Sequence, residues 1–222
     1  MAVSGSKNFE LNVTEYIEEA FERCGLEVRT GYDLRTAKRS LNLLLADWAN
    51  RGLNQWTITQ TTVTAVSGTA TYTLDADTID ILSAVVRRSS TDYSIARLSR
   101  DEYLNVPVKT QTGRPSQFFL DRQVTPVLKV WPTPENSTDQ FIFDRLVRID
   151  DADTPINTMQ VPFRFYPCLA AGLAYYLSVK KAPNRIQFLK AIYEEELERA
   201  MTEDRDRASF KVAPSLEYYR VS

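Results

Sequence analysis

The chain has 222 residues, of which 43% are hydrophobic and 25% charged, a composition typical of a soluble globular protein with one sizeable domain or two small ones. Its 27 basic and 29 acidic side chains give a formal charge of −2, which excludes a global basic field for nucleic acid but leaves contact through a lumen or a local patch open. Histidine is absent, so Ser-His-Asp and Cys-His catalytic arrangements are excluded, as are the commonest metal ligand and pH switch.

The cysteines and the N-terminus indicate a reduced, cytosolic protein. Cys24 and Cys168 both lie in apolar helical settings, which favours buried thiols over a disulfide. The opening residues, MAVSGSKNF, lack the charged start and long apolar run of a signal peptide. The longest stretch of low charge, 166–179, is too short to span a bilayer. We therefore expect synthesis in the cytoplasm and no membrane partner.

Two helices are predicted in the first quarter of the chain. Asn12 with Glu15 three residues later has the form of a capping box, and Gly25 is positioned to end the helix that starts there. Thr30 provides a start signal for a second helix, which continues into the stretch 34–56. A short loop between the two helices favours an antiparallel pair.

The stretch 34–56 carries one wide apolar stripe. Its apolar residues recur at intervals of three and four, which places them on one face of a helix that must be buried. The stripe consists of Leu34, Ala37, Leu41, Leu44, Leu45 and Trp48. Gly52 is expected to end this helix, and Trp56 to anchor the chain beyond it. The charged residues of the other face point to water and are Arg35, Lys38, Arg39 and Asp47.

The middle third of the chain changes to a period of two, which predicts strands joined by short loops in an antiparallel sheet. Residues 57–66 and 69–74 are separated by Ser67-Gly68, and we predict that they pair as a hairpin. The further predicted strands are 79–88, 93–98, 117–121, 127–131 and 140–149. Ser99 is predicted to cap a short helical turn.

Helical periodicity returns at Phe163 and continues to a break at Pro183-Asn184, after which a last helix starts near Arg185. The first of these two helices contains no acid and several small residues, which permits close approach of other helices. The last helix has an apolar face and an acidic one. We take its acidic face as a candidate surface, and its members are Glu194, Glu195, Glu198, Glu203 and Asp204.

Periodicity ends beyond Arg207, although the remaining residues are rich in aromatic and apolar side chains. Such a segment is either a disordered end or a peptide that docks on a partner, and its aromatic residues favour docking. The candidate docking residues are Phe210, Leu216, Tyr218 and Tyr219. The expected fold class is α+β, a helical bundle with an inserted antiparallel β lobe and an extended tail. The expected divisions are 1–56 for the first helix pair, 57–150 for the β insert, 151–206 for the second helix pair and 207–222 for the tail.

Motifs that would indicate catalysis are scarce. Ser178 and Lys181 match the S-x-x-K pattern of some acyl-transfer enzymes, but its companion motifs are missing. Neither a P-loop nor a G-x-G-x-x-G run occurs among the 7 glycines. Asp150, Asp151 and Asp153 lack the glycine and later glutamate of a calcium loop. We therefore expect no catalytic residues, no metal and no cofactor.

Three stretches carry a resemblance to a known family. LNLLLADWANRGLNQWTIT (41–59) combines a leucine-rich helix with a Trp-Thr-Ile strand start, and it is followed by GRPSQFFLDRQVTPVLKVWPTP (113–134) and FRFYPCLAAGLAYYLS (163–178). In this order they resemble the head-to-tail adaptor (connector) proteins of short-tailed bacteriophages, the tail-tubular-protein-A-like group. The resemblance covers nearly the whole chain, with least agreement expected beyond Arg207.

The resemblance implies a structural virion protein, made in the host cytoplasm and located in the neck between head and tail. Such adaptors form a cyclic ring of about twelve copies with side-to-side contacts. The ring would join the portal protein to a tail nozzle or tail tube protein, and its lumen would pass and retain double-stranded DNA without sequence-specific contact. The tail would dock on the portal. The acidic face would line either the lumen or the contact between neighbouring copies.

Two other functions are compatible with the sequence. Paired carboxylates along Glu194–Glu198 could serve a peptidoglycan hydrolase, since a glycosidase requires only two. The chain could also be a cytosolic protein-interaction domain with no connection to a phage. Cleared zones on a peptidoglycan gel would indicate the first, and a gene neighbourhood without portal and capsid genes the second.

Overall fold

The chain folds into five α-helices and ten β-strands over residues 5–51 and 55–204, which are the residues that the computed structural model describes. The helices are α1 (Val13–Arg23), α2 (Gly31–Asn50), α3 (Arg100–Leu104), α4 (Tyr166–Lys181) and α5 (Ile186–Glu203). The strands are β1 (Ile58–Thr64), β2 (Thr71–Thr73), β3 (Thr78–Arg88), β4 (Thr91–Ser94), β5 (Ala96–Arg97), β6 (Thr112–Gly113), β7 (Gln117–Asp121), β8 (Val127–Trp131), β9 (Thr133–Pro134) and β10 (Gln140–Val147). The α+β class is confirmed.

The helix starts follow the predicted capping signals. At α1 the Asn12 side chain accepts a hydrogen bond from the Glu15 amide at 2.9 Å, and the Glu15 carboxylate accepts one from the Asn12 amide at 2.7 Å. Thr30 and Asp33 make the same reciprocal arrangement at α2. Gly25 follows the end of α1 with a φ of +71°, a left-handed conformation that favours glycine. Gly52 lies outside the described residues, and Arg51 caps α2.

Helix α4 packs against α1, α2 and α5. Its middle residues are small, and at Gly172 an added Cβ would lie 2.8 Å from a Leu44 methyl and 2.9 Å from the Tyr193 ring. Glycine is therefore required where α2 and α5 approach α4 most closely. Trp48 of α2 is fully buried, and its indole nitrogen donates a hydrogen bond to the Tyr193 hydroxyl of α5 at 3.0 Å.

The segment between the strands and α4 is held on the helices. Trp56 lies 4.6 Å from the Phe165 ring between centroids, and its indole nitrogen donates to the Gln160 carbonyl at 3.0 Å. The prediction that Trp56 anchors the chain is confirmed. The Ala152 amide donates to the Asn42 side chain at 2.8 Å, so this polar segment is fixed to α2 as well.

The strands form two four-stranded sheets and one two-stranded sheet. The orders are β1-β10-β3-β4, β2-β8-β7-β5 and β6-β9. Side chains of both four-stranded sheets contribute to a second hydrophobic core, separate from the helical one. Among its largest members, Tyr72 lies edge-on to Phe141, with ring centroids 5.2 Å apart. Each sheet thus buries one face against the other.

The predicted hairpin of 57–66 with 69–74 is wrong. Strand β1 pairs with β10 in one sheet, and β2 pairs with β8 in the other. Between them the Tyr72 hydroxyl accepts a hydrogen bond from the Val66 amide at 3.0 Å and donates one to the Thr69 carbonyl at 2.9 Å. These bonds turn the chain so that it crosses between sheets.

The prediction of an antiparallel sheet holds only for the longer strands. The predicted strand 93–98 is divided, because β4 pairs antiparallel with β3 whereas β5 pairs parallel with β7. The buried residue Ile95 lies where the chain changes sheet. Strands β6 and β9 form a second short parallel pair.

Candidate interaction surfaces

Helix α5 divides into a buried face and an exposed acidic face. Leu189, Tyr193, Leu197 and Ala200 are buried, and the 3.6-residue period therefore turns the intervening carboxylates outward. Exposed among the predicted residues are Glu194, Glu195, Glu198 and Glu203.

Cations offset part of this acidic face. Lys190 lies 3.6 Å from Glu194, and Arg199 pairs with Glu195 and with Glu196. Most of these side chains are well exposed, so each pair contributes little to stability and is screened by salt. Glu198 lines a shallow depression of about 220 Å³ together with Arg51. The face remains predominantly acidic.

Asp204, which we expected on the same exposed face, is buried. Its carboxylate accepts a hydrogen bond from the Arg164 guanidinium at 2.9 Å. Arg164 lies directly before α4, so this ion pair fixes the end of α5 to the beginning of α4. The predicted docking residues Phe210, Leu216, Tyr218 and Tyr219 lie outside the described residues.

A groove that the sequence did not reveal lies between α1 and the start of α4. We call it the acidic groove. It has a volume of about 460 Å³, an apolar floor and a wall of carboxylates on α1. The floor contains Phe9, Leu11, Tyr166, Pro167 and Ala170, and the wall contains Glu15, Glu18, Glu19 and Glu22. The groove could not be predicted from the sequence, because only folding brings α1 and α4 together. The spacing of Glu18 and Glu22 in the sequence could, however, have indicated an exposed acidic face on α1.

The free carboxylates of the acidic groove are Glu18 and Glu22. Glu15 accepts a hydrogen bond in the capping box, and Glu19 pairs with Arg23 at 2.7 Å. Within residues 5–51 and 55–204, Glu18 and Glu22 make no ion pair or side-chain hydrogen bond, and both are exposed. They lie four residues apart and therefore on one side of α1.

Helix α2 exposes a second charged face, which we call the basic stripe: Tyr32, Arg35, Arg39 and Leu43. Tyr32 is 65% exposed and Leu43 is 54% exposed, and their spacing of three and four from the arginines places all four residues in one row. Across the described chain neither arginine has a partner in an ion pair or a side-chain hydrogen bond.

The two other polar residues that the sequence placed on this helix face have local partners. Lys38 donates to the Asp153 carbonyl, and Asp47 pairs with Arg51 at 2.9 Å. Both side chains are therefore engaged in intramolecular contacts and do not belong to the basic stripe.

The groups that could have supported catalysis have structural partners. The Ser178 hydroxyl donates to the Tyr175 carbonyl at 2.7 Å, whereas Lys181 binds the Asp33 carboxylate. Lys181 is thus the partner of a carboxylate and does not activate Ser178. The hydrogen bond from Lys181 lowers the pKa of Asp33 to about 2.

The cysteines and the acidic loop show no reactive arrangement. Cys24 and Cys168 are free and buried, and burial raises the pKa of the Cys168 thiol to about 12. The Asp153 carboxylate accepts hydrogen bonds from the Thr154 amide and the Asn157 side chain, as in a turn. Among the residues described, no group of three or more candidate ligands could hold a metal ion, and no helix there is long and apolar enough to cross a membrane.

Comparison with sequence models of protein families gives a match over residues 12–215 to a family described as SU10 adaptor protein. This range covers α1 through α5 and extends past Phe210, although it ends before Leu216. The chain belongs to the SU10 adaptor protein family. A search of curated proteins finds no match.

Membership of the SU10 adaptor family confirms the resemblance to phage adaptors that the three stretches indicated. It supports a viral, structural role as a bacteriophage adaptor located in the virion. Adaptor membership also suggests a role without catalysis.

Proposed function

We propose that this SU10 adaptor protein is a head-to-tail adaptor that forms a ring between the portal and the tail nozzle. The ring passes double-stranded DNA and retains it in the head. The observation that carries the proposal is the family match over residues 12–215. The matched range includes both the helices and the strands, which supports a role for the whole folded chain in the adaptor.

The helical part is suited to form the body of the ring. Helix α4 lies against α1, α2 and α5. At Gly172 it approaches Leu44 of α2 and Tyr193 of α5 closely, so the four helices are densely packed there. We infer that these helices act as one bundle. The strands between Ile58 and Val147 form a lobe with its own core, which we assign to the side facing the tail nozzle.

The segment beyond Asp204 is proposed to dock on the portal. The residue that precedes this segment is fixed, because the Asp204–Arg164 ion pair holds the end of α5 on the beginning of α4. The segment then supplies Phe210, Leu216, Tyr218 and Tyr219. Aromatic residues bury large areas with few rotatable bonds, and they are therefore common anchors in docking peptides.

The acidic face of α5 is proposed to line the lumen. Phosphates on DNA are repelled by carboxylates, so a mildly acidic wall reduces adhesion while DNA passes. The exposed members Glu194, Glu195 and Glu198 support this assignment. In this arrangement Asp204 has a different role, since its carboxylate binds Arg164.

The proposal is tested by reconstitution with the portal protein. Purified full-length chain mixed with portal should give symmetric rings on the portal in electron micrographs. Deletion of residues 210–222 should abolish this docking, and so should replacement of Phe210, Tyr218 and Tyr219 by serine. A control with Lys211 and Arg220 replaced by serine retains the aromatic residues and should still dock. If the truncated chain binds portal as well as the full chain, the docking role is wrong.

A further inference from the structure

Helices α1 and α2 carry charges of opposite sign that no other described residue neutralises. Glu18 and Glu22 on α1 are four residues apart, and so are Arg35 and Arg39 on α2. Like charges at this spacing destabilise a helix. At other positions four residues apart, the helices carry opposite charges that pair with each other, as in Arg23–Glu19, Arg51–Asp47 and Arg199–Glu195.

The two surfaces do not neutralise each other within one chain. Over residues 5–51 and 55–204, no ion pair joins the wall of the acidic groove to the basic stripe. The groove lies on the side of α1 that faces Tyr166 and Pro167. Among the described residues that line the groove, the one cation is Arg23, and it is already paired with Glu19.

The spacing of their charges and the positions of their apolar groups match as well. A separation of four residues corresponds to a rise of about 6 Å along either helix, so two arginines can face two glutamates in register. The basic stripe has exposed apolar residues at both ends, Tyr32 and Leu43. The acidic groove offers an apolar floor, on which Phe9 and Tyr166 lie 6.5 Å apart between ring centroids.

We propose that the acidic groove of one copy receives the basic stripe of the next copy. The occupant is thus a second copy of this chain, and the inference rests on the proposed ring. The contact is heterologous because it joins two different surfaces, and such contacts close into a ring when the rotation between copies permits. The arginines bind Glu18 and Glu22, while Tyr32 and Leu43 cover the apolar floor.

The proposal is tested by exchanging the charges in the full-length chain. Glu18→Lys with Glu22→Lys reverses the groove, and Arg35→Glu with Arg39→Glu reverses the stripe. Each double variant alone should lose ring assembly on the portal, measured by electron microscopy and native mass spectrometry. An equimolar mixture of the two should recover rings with an even number of copies, in which the variants alternate. The chain that carries all four changes should also recover.

Two further sets of variants separate this contact from general effects. Asp101→Lys with Arg122→Glu reverses two exposed charges in the β lobe and should leave assembly unchanged. The neutral variant Glu18→Gln with Glu22→Gln is the milder alternative if charge reversal prevents folding. It should raise the protein concentration needed for half-maximal ring formation about tenfold and make assembly insensitive to salt.

The outcomes distinguish this contact from the proposed function. If the wild-type chain forms rings and the reversed variants assemble equally well, the contact is wrong and the adaptor function stands. If only the groove variant fails, or if the mixture does not recover, the stripe is not the occupant. Either outcome is also expected if residues 205–222 fill the groove in place of the stripe. Either outcome therefore overturns the proposed contact. If wild-type chain forms no ring with portal, both proposals fail.

Discussion

The hydrogen bond between Trp48 and Tyr193 offers a quantitative test of the helical core. Trp48 is fully buried and Tyr193 is 2% exposed, and the indole nitrogen lies 3.0 Å from the hydroxyl. Replacement of Tyr193 by Phe leaves a buried indole N–H without an acceptor, which should lower the free energy of unfolding by about 1–3 kcal/mol. Replacement of Trp48 by Phe also removes ring volume and should cost about 2–5 kcal/mol.

The double variant should cost less than the sum of the two single variants. With both polar groups removed, neither is left buried without a partner, so we expect a coupling energy of about 1–2 kcal/mol. The free energies are measured by urea unfolding, followed by far-UV circular dichroism. Trp56→Phe combined with Tyr193→Phe is the control, since the Trp56 indole binds the Gln160 carbonyl. This control cycle should be additive within about 0.5 kcal/mol. Additivity in the Trp48 cycle would refute the hydrogen bond between Trp48 and Tyr193.

Three other substitutions test single features by the same unfolding measurement. Tyr16→Phe should leave stability unchanged or raise it by up to about 1 kcal/mol, because the Tyr16 hydroxyl is buried without a hydrogen-bond partner among the described residues; a larger loss would contradict this. Gly172→Ala should cost about 1–2 kcal/mol by overpacking, whereas Gly31→Ala, where an added Cβ meets nothing within 4 Å, should not destabilise. Lys181 lowers the pKa of Asp33 from 3.8 to about 2, so the stabilisation from this carboxylate is complete above pH 4 and lost as the pH falls towards 2. Asp33→Asn should remove that part of the acid dependence, and an unchanged acid profile would contradict the assignment.

Local signals in the sequence were sufficient for the helix starts and for several of the strands. The capping box of Asn12 and Glu15 depends on residues three apart, and it appears in the structure as predicted. Strands β7 and β8 have the predicted bounds because Pro and turn-forming residues flank them. The apolar stripe of α2 is buried, with Leu34 partly so. It could be predicted because apolar residues at intervals of three and four define one helix face.

Partners distant in the sequence could not be predicted. Strand β1 has the alternation of a hairpin strand, but its partner is β10 at the other end of the lobe, and nothing near Ile58 encodes that choice. Asp204 continues the acidic period of α5, yet it is buried because Arg164 lies 40 residues away in the chain and beside it in space. The acidic groove escaped prediction because Tyr166 must be brought next to α1.

We propose that this chain forms a ring at the neck of the virion. The most direct measurement is cryo-electron microscopy of the purified virion neck, with the described helices and strands fitted to the density. We expect a closed ring of this chain between portal and tail, with the acidic face of α5 towards the DNA. Density at the neck that cannot accommodate α1–α5 and the β lobe, or this chain found elsewhere in the particle, would contradict the account.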